Sequence, residues 1–393
     1  MKKIKLIIFP GYFVPHIGGL ETHVDEFSKY LSKNKKYNIT IFAPNIPIYK
    51  EKEIVHDDVN IIRYPAFEIV SNFPVPKFWS FKFWSLYFDL YKNDFDITMT
   101  RTMFFTNSTL GMFFAKFRFK KTKLIHVEHG ADFSKLDSKF KSFMNKLYMK
   151  TLGFLLVRLS DKVVTVSSAS KDFLIKENFI KKNRIDEITI IRRGFHYKEC
   201  NSIKPNLKLK NQYKTKKIIT FIGRLIDGKG VQDILNALKN CEKNYIFLII
   251  GNGNYRNTLE NLVTKYDLKE KVNFLGRISH NEVISILKIT DTFVNPSYTE
   301  GLPTTVLDAF FSGSNILATD VGGTYEILDK YWHSEEKYEL VKVKDISQMS
   351  ISLNKLLTVD NKIDKKILET VKQKFDWDEH ARKYDLVIDE VFK

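Results

Sequence analysis

Cysteine is nearly absent from this chain of 393 residues, which holds only Cys200 and Cys241. Two thiols build neither a disulfide framework nor a four-thiolate metal site, and both are expected to be incidental thiols in a reducing compartment. No run of eighteen apolar residues occurs, so no membrane-crossing helix is expected. The apolar stretch Leu6 to Phe9 is too short for a signal core, and Pro10-Gly11 follow at once. A buried first strand is expected there, in a cytoplasmic protein. No compact cluster of metal ligands appears, and no metal or other cofactor is expected.

What is present is ordinary in bulk, with 44% hydrophobic and 28% charged residues. That excludes a disordered tail or a collagen-like chain. The length exceeds what one hydrophobic core serves, and roughly two or three domains are expected. The charge is less ordinary. Of a net +17, residues 1–200 carry +14, with 34 Lys and Arg against 20 Asp and Glu. A one-sided basic field attracts an anionic partner, whether nucleic acid, an anionic bilayer or a phosphorylated substrate.

Strand-like and helix-like segments alternate along the first half. Lys3 to Phe9, Tyr37 to Ala43, Val59 to Tyr64, Asp96 to Thr100, Leu124 to Glu128 and Lys162 to Val166 read as strands. Leu20 to Leu31 reads as a helix opened by Gly18-Gly19. Residues 198–217 are polar and lysine-rich without clear periodicity, and read as a linker. The same grammar then restarts. Lys217 to Ile222 reads as a strand, Gly223 to Gly230 as a loop and Val231 to Leu238 as a helix. Tyr245 to Ile250, Val272 to Leu275, Thr292 to Asn295 and Ile316 to Ala318 continue the strands. Such order implies parallel sheets with helices on both faces. The expected fold is therefore α/β: two doubly wound Rossmann-like domains facing a central cleft, with ligands beyond the carboxyl ends of the strands. Phe375 to Phe392 has helical apolar spacing and is expected to be a packing helix.

Four loops carry chemistry. In Gly11 to His23, GYFVPHIGGLETH, a strand runs into a glycine pair just before a helix. Backbone N–H groups and the helix dipole favour a phosphate there, although a plain turn uses the same glycines. In Gly223 to Gly230, GRLIDGKG, two cations sit among three glycines. Arg224 can grip phosphate oxygens bidentately, and Lys229 adds a mobile point charge. Gly230 after Lys229 rules out a Walker A loop. A diphosphate site is favoured over an exposed turn with solvated charges. Gly251-Asn252-Gly253 is half a dinucleotide fingerprint and reads more readily as a turn. The fourth loop, Pro296 to Ala309, is the sharpest. Glu300 lies in a loop, Pro303 suits a first helical turn, and Asp308 follows one turn inside. Two carboxylates bracketing free N–H groups fit hydroxyl recognition beside a phosphate. Read locally, Glu300 is otherwise a capping acid and Asp308 a solvated helix residue.

Taken together and in order, these residues resemble a known family. The set is Gly18-Gly19-Leu20-Glu21-x-His23, Gly223-Arg224-Leu225 with Lys229-Gly230, Gly251-x-Gly253, Glu300-Gly301-Leu302-Pro303 with Asp308, and Asp320-Val321-Gly322-Gly323 with Glu326. It resembles the GT4 retaining glycosyltransferases of GT-B fold over nearly the whole chain. The resemblance implies an acceptor-side Rossmann-like domain at 1–205 and a nucleotide-sugar-binding one at 206–374. Residues 375–393 would pack back toward the N-terminal domain. Arg224 and Lys229 would hold the donor diphosphate, and Glu300 would contact hydroxyls of the transferred sugar. Gly19 would bring its N–H to the phosphate across the cleft. His129, in Val127-Glu128-His129-Gly130, would stand near the donor sugar and reaction centre; it also fits a core histidine at a strand end. The other implied donor-binding positions are Gly18, Gly223, Gly251, Gly253, Arg277, Gly301, Leu302, Thr304, Thr305 and Asp308. Asp308 is one methylene shorter than the pattern's ribose-contacting glutamate, and glycine replaces the usual aspartate after His129.

The implied activity is retaining transfer of a hexose or N-acetylhexosamine from a nucleotide-sugar, with a UDP-sugar favoured. The acceptor would be a glycan or lipid-linked molecule in cell-surface glycoconjugate synthesis. No carboxylate pair marks a covalent nucleophile. The resemblance implies instead a same-face displacement in which the leaving phosphate helps deprotonate the acceptor. Phe78 to Phe88, Met112 to Lys123 and Lys139 to Ser160 mix aromatic, aliphatic and cationic residues. They fit the inner face of an anionic membrane, and fit equally helices packed on the sheet with snorkelling lysines. Two other functions stay open: a nucleotide-sugar epimerase or hydrolase on the same scaffold, and a basic non-enzymatic anion- or nucleic-acid-binding protein. No recognised motif supports nucleic-acid binding, and none is expected.

Overall fold

The computed structural model describes residues 3–16, 18–56, 58–70, 73–133, 138–328, 337–360 and 365–393. The chain forms two compact units, Met1–Arg193 with Asp378–Lys393, and Gly194–Trp377.

The first unit opens with β1 (Ile4–Phe9), β2 (Tyr37–Pro44), β3 (Lys52–Val55) and β4 (Val59–Tyr64). A hairpin of β5 (Ala66–Val70) and β6 (Phe73–Pro76) stands apart. The main sheet is completed by β7 (Ile97–Arg101), β8 (Lys123–Glu128), β9 (Lys162–Thr165) and β10 (Thr189–Ile190). Its spatial order is β10-β9-β8-β7-β1-β2-β4-β3. Every pair is parallel except β3–β4. The winding direction reverses between β1 and β7. At such a switch the connecting loops part and leave a crevice beyond the strand ends. The glycine loop leaves β1 there, and Arg101 ends β7.

The central strands are near-continuous apolar runs because both faces are covered. Leu6, Ile7, Ile8 and Phe9 are fully buried. Helix α1 (Gly19–Lys33) turns His23, Val24, Phe27 and Leu31 inward, a helical stripe. Helices α2 (Phe81–Asp89), α3 (Thr106–Lys116) and α4 (Lys139–Tyr148) follow. The terminal helix Trp377–Phe392 buries Ala381, Tyr384, Val387 and Ile388. Its Tyr384 ring lies 4.9 Å from Phe27 of α1, and Tyr37 donates to Asp385 Oδ1 at 2.7 Å.

The second unit contains β11 (Lys217–Ile222), β12 (Tyr245–Ile250), β13 (Val272–Gly276), β14 (Thr292–Asn295), β15 (Asn315–Thr319) and β16 (Tyr338–Val341). They form a wholly parallel sheet ordered β13-β12-β11-β14-β15-β16. Here the winding reverses between β11 and β14. Residues 198–217, read as a linker, instead carry helices Tyr197–Ser202 and Leu207–Gln212. Cys200 and Leu209 pack them on this unit's core. Helices of six residues are too short for their periodicity to stand out. Among the described residues no helix is long and apolar enough to cross a membrane.

Candidate functional site

The loops that leave β11 and β14 meet at the reversal of the second sheet. Lys229, on the first loop, donates from Nζ to Glu300 Oε1 on the second at 2.6 Å. Both side chains are partly buried. Their loops are braced to one another. The Tyr298 N–H donates to the Gly228 carbonyl at 2.9 Å. The Gln232 amide donates to Asp227 Oδ1 at 3.0 Å and to the Tyr298 hydroxyl at 2.7 Å. Gln232 thus ties the start of one helix to both loops.

Neighbouring loops pack this pair from either side through glycine. Gly251 has φ 136°, and a Cβ there would overlap the carbonyl oxygen of Gly223. Leu225 donates its N–H to Asn252 at 2.9 Å. The Gly251-x-Gly253 turn is therefore the surface on which the Gly223–Gly230 loop rests. On the other side Gly322, with φ 55°, lies against the Glu300 carbonyl. The Gly323 N–H donates to Gly301 at 2.8 Å. A side chain at either position is refused by backbone angle and by space alike.

Arg224 is exposed on the same loop as Lys229, and its side chain bonds to no partner among the described residues; Arg277 is exposed on the loop after β13. Leu302 packs on the core of this unit. Pro303 caps the helix Thr304–Ser312, whose first turn holds Thr304 and Thr305. Their N–H groups have no acceptor within the helix. Asp308 departs from its local alternative reading. It is not a solvated helix residue but is 8% exposed. Its Oδ1 lies 3.2 Å from Nε2 of His280. Burial pushes the Cys200 thiol up to about 11, and the Asp308 carboxylate adds to that rise. Among the described residues no group of three His, Cys, Asp or Glu could hold a metal ion.

Gly18, Gly19 and His129 belong to the first unit. Arg193 Nη1 donates to the Gly19 carbonyl at 2.9 Å. Glu21 lies against Gly18 and faces His16 Nδ1 at 2.9 Å. Ile17, within this loop, lies outside the described residues. His129 follows β8 and meets His23 of α1 edge-on, with ring centroids 5.9 Å apart. Its Nε2 is buried and has no hydrogen-bond partner among the described residues. Burial, and then Arg101 and Arg193, hold its pKa well below the usual imidazole value.

His23 is also part of a buried chain. Arg101 Nη1 lies 3.1 Å from His23 Nδ1, and His23 Nε2 lies 2.9 Å from His380 Nε2. His380 Nδ1 lies 2.6 Å from the Arg192 carbonyl. A carbonyl only accepts, so His380 carries its hydrogen on Nδ1 and accepts on Nε2. His23 must then donate from Nε2 and accept from Arg101 on Nδ1. The bonds run one way, and both rings are neutral. The Arg101 guanidinium lies over the rings of Phe27 (4.7 Å) and Tyr384 (5.5 Å).

Known proteins share this plan. A family model described as glycosyl transferases group 1 matches residues 203–374, and one described as Glycosyltransferase Family 4 matches 17–196. An uncharacterised glycosyltransferase of Methanocaldococcus jannaschii is 42% identical over 99% of both chains. The chain belongs to the GT4-type glycosyltransferases. This glycosyltransferase is also 27% identical to the UDP-Gal:alpha-D-GlcNAc-diphosphoundecaprenol alpha-1,3-galactosyltransferase of Escherichia coli, over 51% of this chain and 52% of that one. Its fold is GT-B. HepE of Anabaena, solved in complex with UDP-glucose, matches 98% of this chain and 100% of its own, with TM-score 0.73 and 16% identity.

In this glycosyltransferase the second unit gathers Gly223, Arg224, Lys229, Gly251, Gly253, Arg277, Glu300, Gly301, Leu302, Thr304, Thr305 and Asp308 on strand-end loops and the helix that follows them. The first unit gathers Gly18, Gly19 and His129 around His23. Sequence reasoning missed His280, Gln232, Arg101 and His380. Only His280 left a signal, the Ser279-x-x-Glu282 capping box that starts its helix.

Proposed function

We propose that this glycosyltransferase is a retaining enzyme that moves a hexose or N-acetylhexosamine from a UDP-sugar to a lipid-linked glycan. It would act as a peripheral protein at the cytoplasmic face of an anionic membrane. The Lys229–Glu300 pair carries the proposal. It sets a cation and a hydroxyl acceptor 2.6 Å apart at the sheet's switch point, where ligands of such sheets bind.

The donor diphosphate lies on Arg224, Lys229 and the N–H groups of Thr304 and Thr305. Glu300 accepts hydrogen bonds from sugar hydroxyls, and the Asp308–His280 pair faces the ribose. As the bond from the sugar's anomeric carbon to phosphate breaks, negative charge grows on the departing oxygen. Lys229 and Arg224 meet that charge in place of a metal ion. The acceptor hydroxyl bonds to the anomeric carbon on the same face, and its proton passes to the leaving phosphate. His129, neutral and with its buried Nε2 unpartnered among the described residues, is the group that hydrogen-bonds the sugar. The Escherichia coli relative is named for a UDP-sugar and a diphosphoundecaprenol acceptor. The Anabaena neighbour binds UDP-glucose. Both support the choice of donor and, for the first, of acceptor.

The membrane half of the proposal is supported by α4. Phe140, Phe143, Met144 and Leu147 are 71%, 62%, 45% and 48% exposed. They form one helical stripe that faces water, with Lys139, Lys141 and Lys146 beside it. Apolar stripes normally face a core, so an outward one between cations fits an anionic lipid surface.

Thermal-shift screening with UDP, GDP, ADP and their common sugar conjugates tests the donor site. A ligand at about 100 times its Kd adds roughly 2.7 kcal/mol of stability. The expected result is a shift with UDP and a UDP-sugar that is lost in Arg224→Ala. No shift with any nucleotide would overturn the transferase reading. UDP release that rises when acceptor is added, with the sugar found on the acceptor, separates transfer from epimerisation and from hydrolysis alone.

A further inference from the structure

The residue before His129 is a carboxylate that the chemistry above leaves unused. Glu128 ends β8 and is wholly buried. Its Oε1 accepts the N–H of Gly130 at 2.7 Å. Its Oε2 accepts the N–H of Met103 at 3.0 Å and lies 3.1 Å from His126 Nε2. His126 Nδ1 in turn lies 2.9 Å from the Thr100 hydroxyl. Since the carboxylate accepts, His126 donates from Nε2, and its Nδ1 pairs with the Thr100 hydroxyl. Three N–H groups therefore converge on one buried carboxylate, from the loop after β7, from β8 and from the turn beyond it. A buried carboxylate without such partners is strongly disfavoured.

The bond to Gly130 has a particular consequence. It closes a ring from the side chain of residue 128 to the backbone of residue 130, with His129 inside. That ring restrains the backbone at His129. Gly130 permits it, because a Cβ there would stand 3.1 Å from Glu128 Oε1. His129 has no hydrogen bond on Nε2 to fix its own ring, so its direction is set by the backbone that carries it and by the edge-on contact with His23. We infer that Glu128 is a positioning residue for sugar transfer, holding the turn that presents the His129 imidazole. This role rests on the placing of His129 at the reaction centre proposed above.

The test is a mutant cycle on the full chain, with UDP-glucose as the probe and acceptor-free UDP release as the readout. Glu128→Gln keeps the shape but turns one acceptor into an NH₂ group that faces an N–H. Gly130→Ala presses on the same carboxylate from the other side. Each is expected to lower kcat roughly tenfold to a hundredfold, as small misplacements do, with KM for UDP-glucose within about twofold. Added to His129→Ala, neither should lower kcat further, because Glu128 acts only through His129. Further loss in that background, or full kcat in both single variants, overturns the proposal. If His129→Ala itself turns over like the wild type, the placing of His129 falls and the positioning role with it. If His129→Ala is slow while the other two are normal, only the positioning role falls. A second readout needs no turnover and covers a variant that does not fold. In histidine-labelled chain, the His129 ring resonance is identified by its loss in His129→Ala. It should move in whichever of Glu128→Gln and Gly130→Ala folds, and an unmoved resonance overturns the proposal.

Discussion

Lys229 and Glu300 cannot be removed one at a time without stranding a charge, because each is the other's partner at 2.6 Å. Their roles in the proposed reaction still differ, so their variants should too. Lys229→Ala removes a cation from the diphosphate and should abolish the thermal shift with UDP. Glu300→Gln keeps the loop and the cation, and should retain the UDP shift while turnover of UDP-glucose falls about 10²–10³-fold, a loss typical of a transition-state contact. Equal UDP shifts in both variants would contradict this division of labour. Residues such as these were legible in sequence because their chemistry is local: glycine, cation and acid on short loops after apolar strands. The burial of Asp308 escaped the local reading for a physical reason. Its burial comes from His280 and from the Cys200 helix, which lie 28 and 108 residues away in the chain, and no local pattern encodes that.

At the scale of elements, the central strands were legible because burial on both faces leaves mostly apolar residues there. The edge strand β3, the β5–β6 hairpin and the short helices of 198–217 were not, because they are half solvated and too short to show a period. The chain through Arg101, His23 and His380 was also out of reach. It joins β7, α1 and the terminal helix, and its two histidines are 357 residues apart. That chain predicts acid sensitivity. Burial, then Arg101, His380 and Arg193, lower the His23 pKa well below the usual value. Burial, with Arg101, Arg193 and Lys383, lowers His380 to about 3, although its bond to Arg192 works the other way. Unfolded histidine titrates near pH 6.5, so below that pH the unfolded chain binds protons that the folded one refuses. Stability should be full above pH about 6.5 and fall as pH drops toward 3. The slope approaches ~1.4 kcal/mol per pH unit for each such histidine. Urea midpoints at pH 7.5, 6.0 and 5.0 check this, and a midpoint that does not fall would contradict it. The outward stripe of α4 makes a second prediction. Phe140→Ser with Phe143→Ser should weaken co-sedimentation with anionic liposomes at low salt and leave the UDP shift unchanged. Unchanged sedimentation would remove α4 from the membrane surface.

The two units differ at the level of the whole molecule in how the chain completes them. The second is one continuous stretch, whereas the first takes residues from both ends of the sequence. The terminal helix gives the first unit Tyr384 against Phe27, Asp385 on the Tyr37 hydroxyl and Glu390 on Lys162. Each fully buried apolar side chain it contributes stabilises by roughly 1.5–3 kcal/mol. Deleting residues 378–393 should therefore loosen one unit selectively. Hydrogen exchange should quicken in β1, β2 and α1 and stay unchanged in β11, β12 and β14. A uniform rise across both sheets would show that the helix supports the molecule as a whole.

The order of synthesis gives that terminal helix a further meaning. Residues 194–377 are translated before residues 378–393, so the first unit, begun earlier, still lacks its closing helix while the second is being made. Until then His23 lacks its partner His380, and Phe27 and Arg101 lack the Tyr384 ring. The half of the enzyme made first is thus the half finished last, and its Phe27 goes without the Tyr384 ring throughout the making of the other.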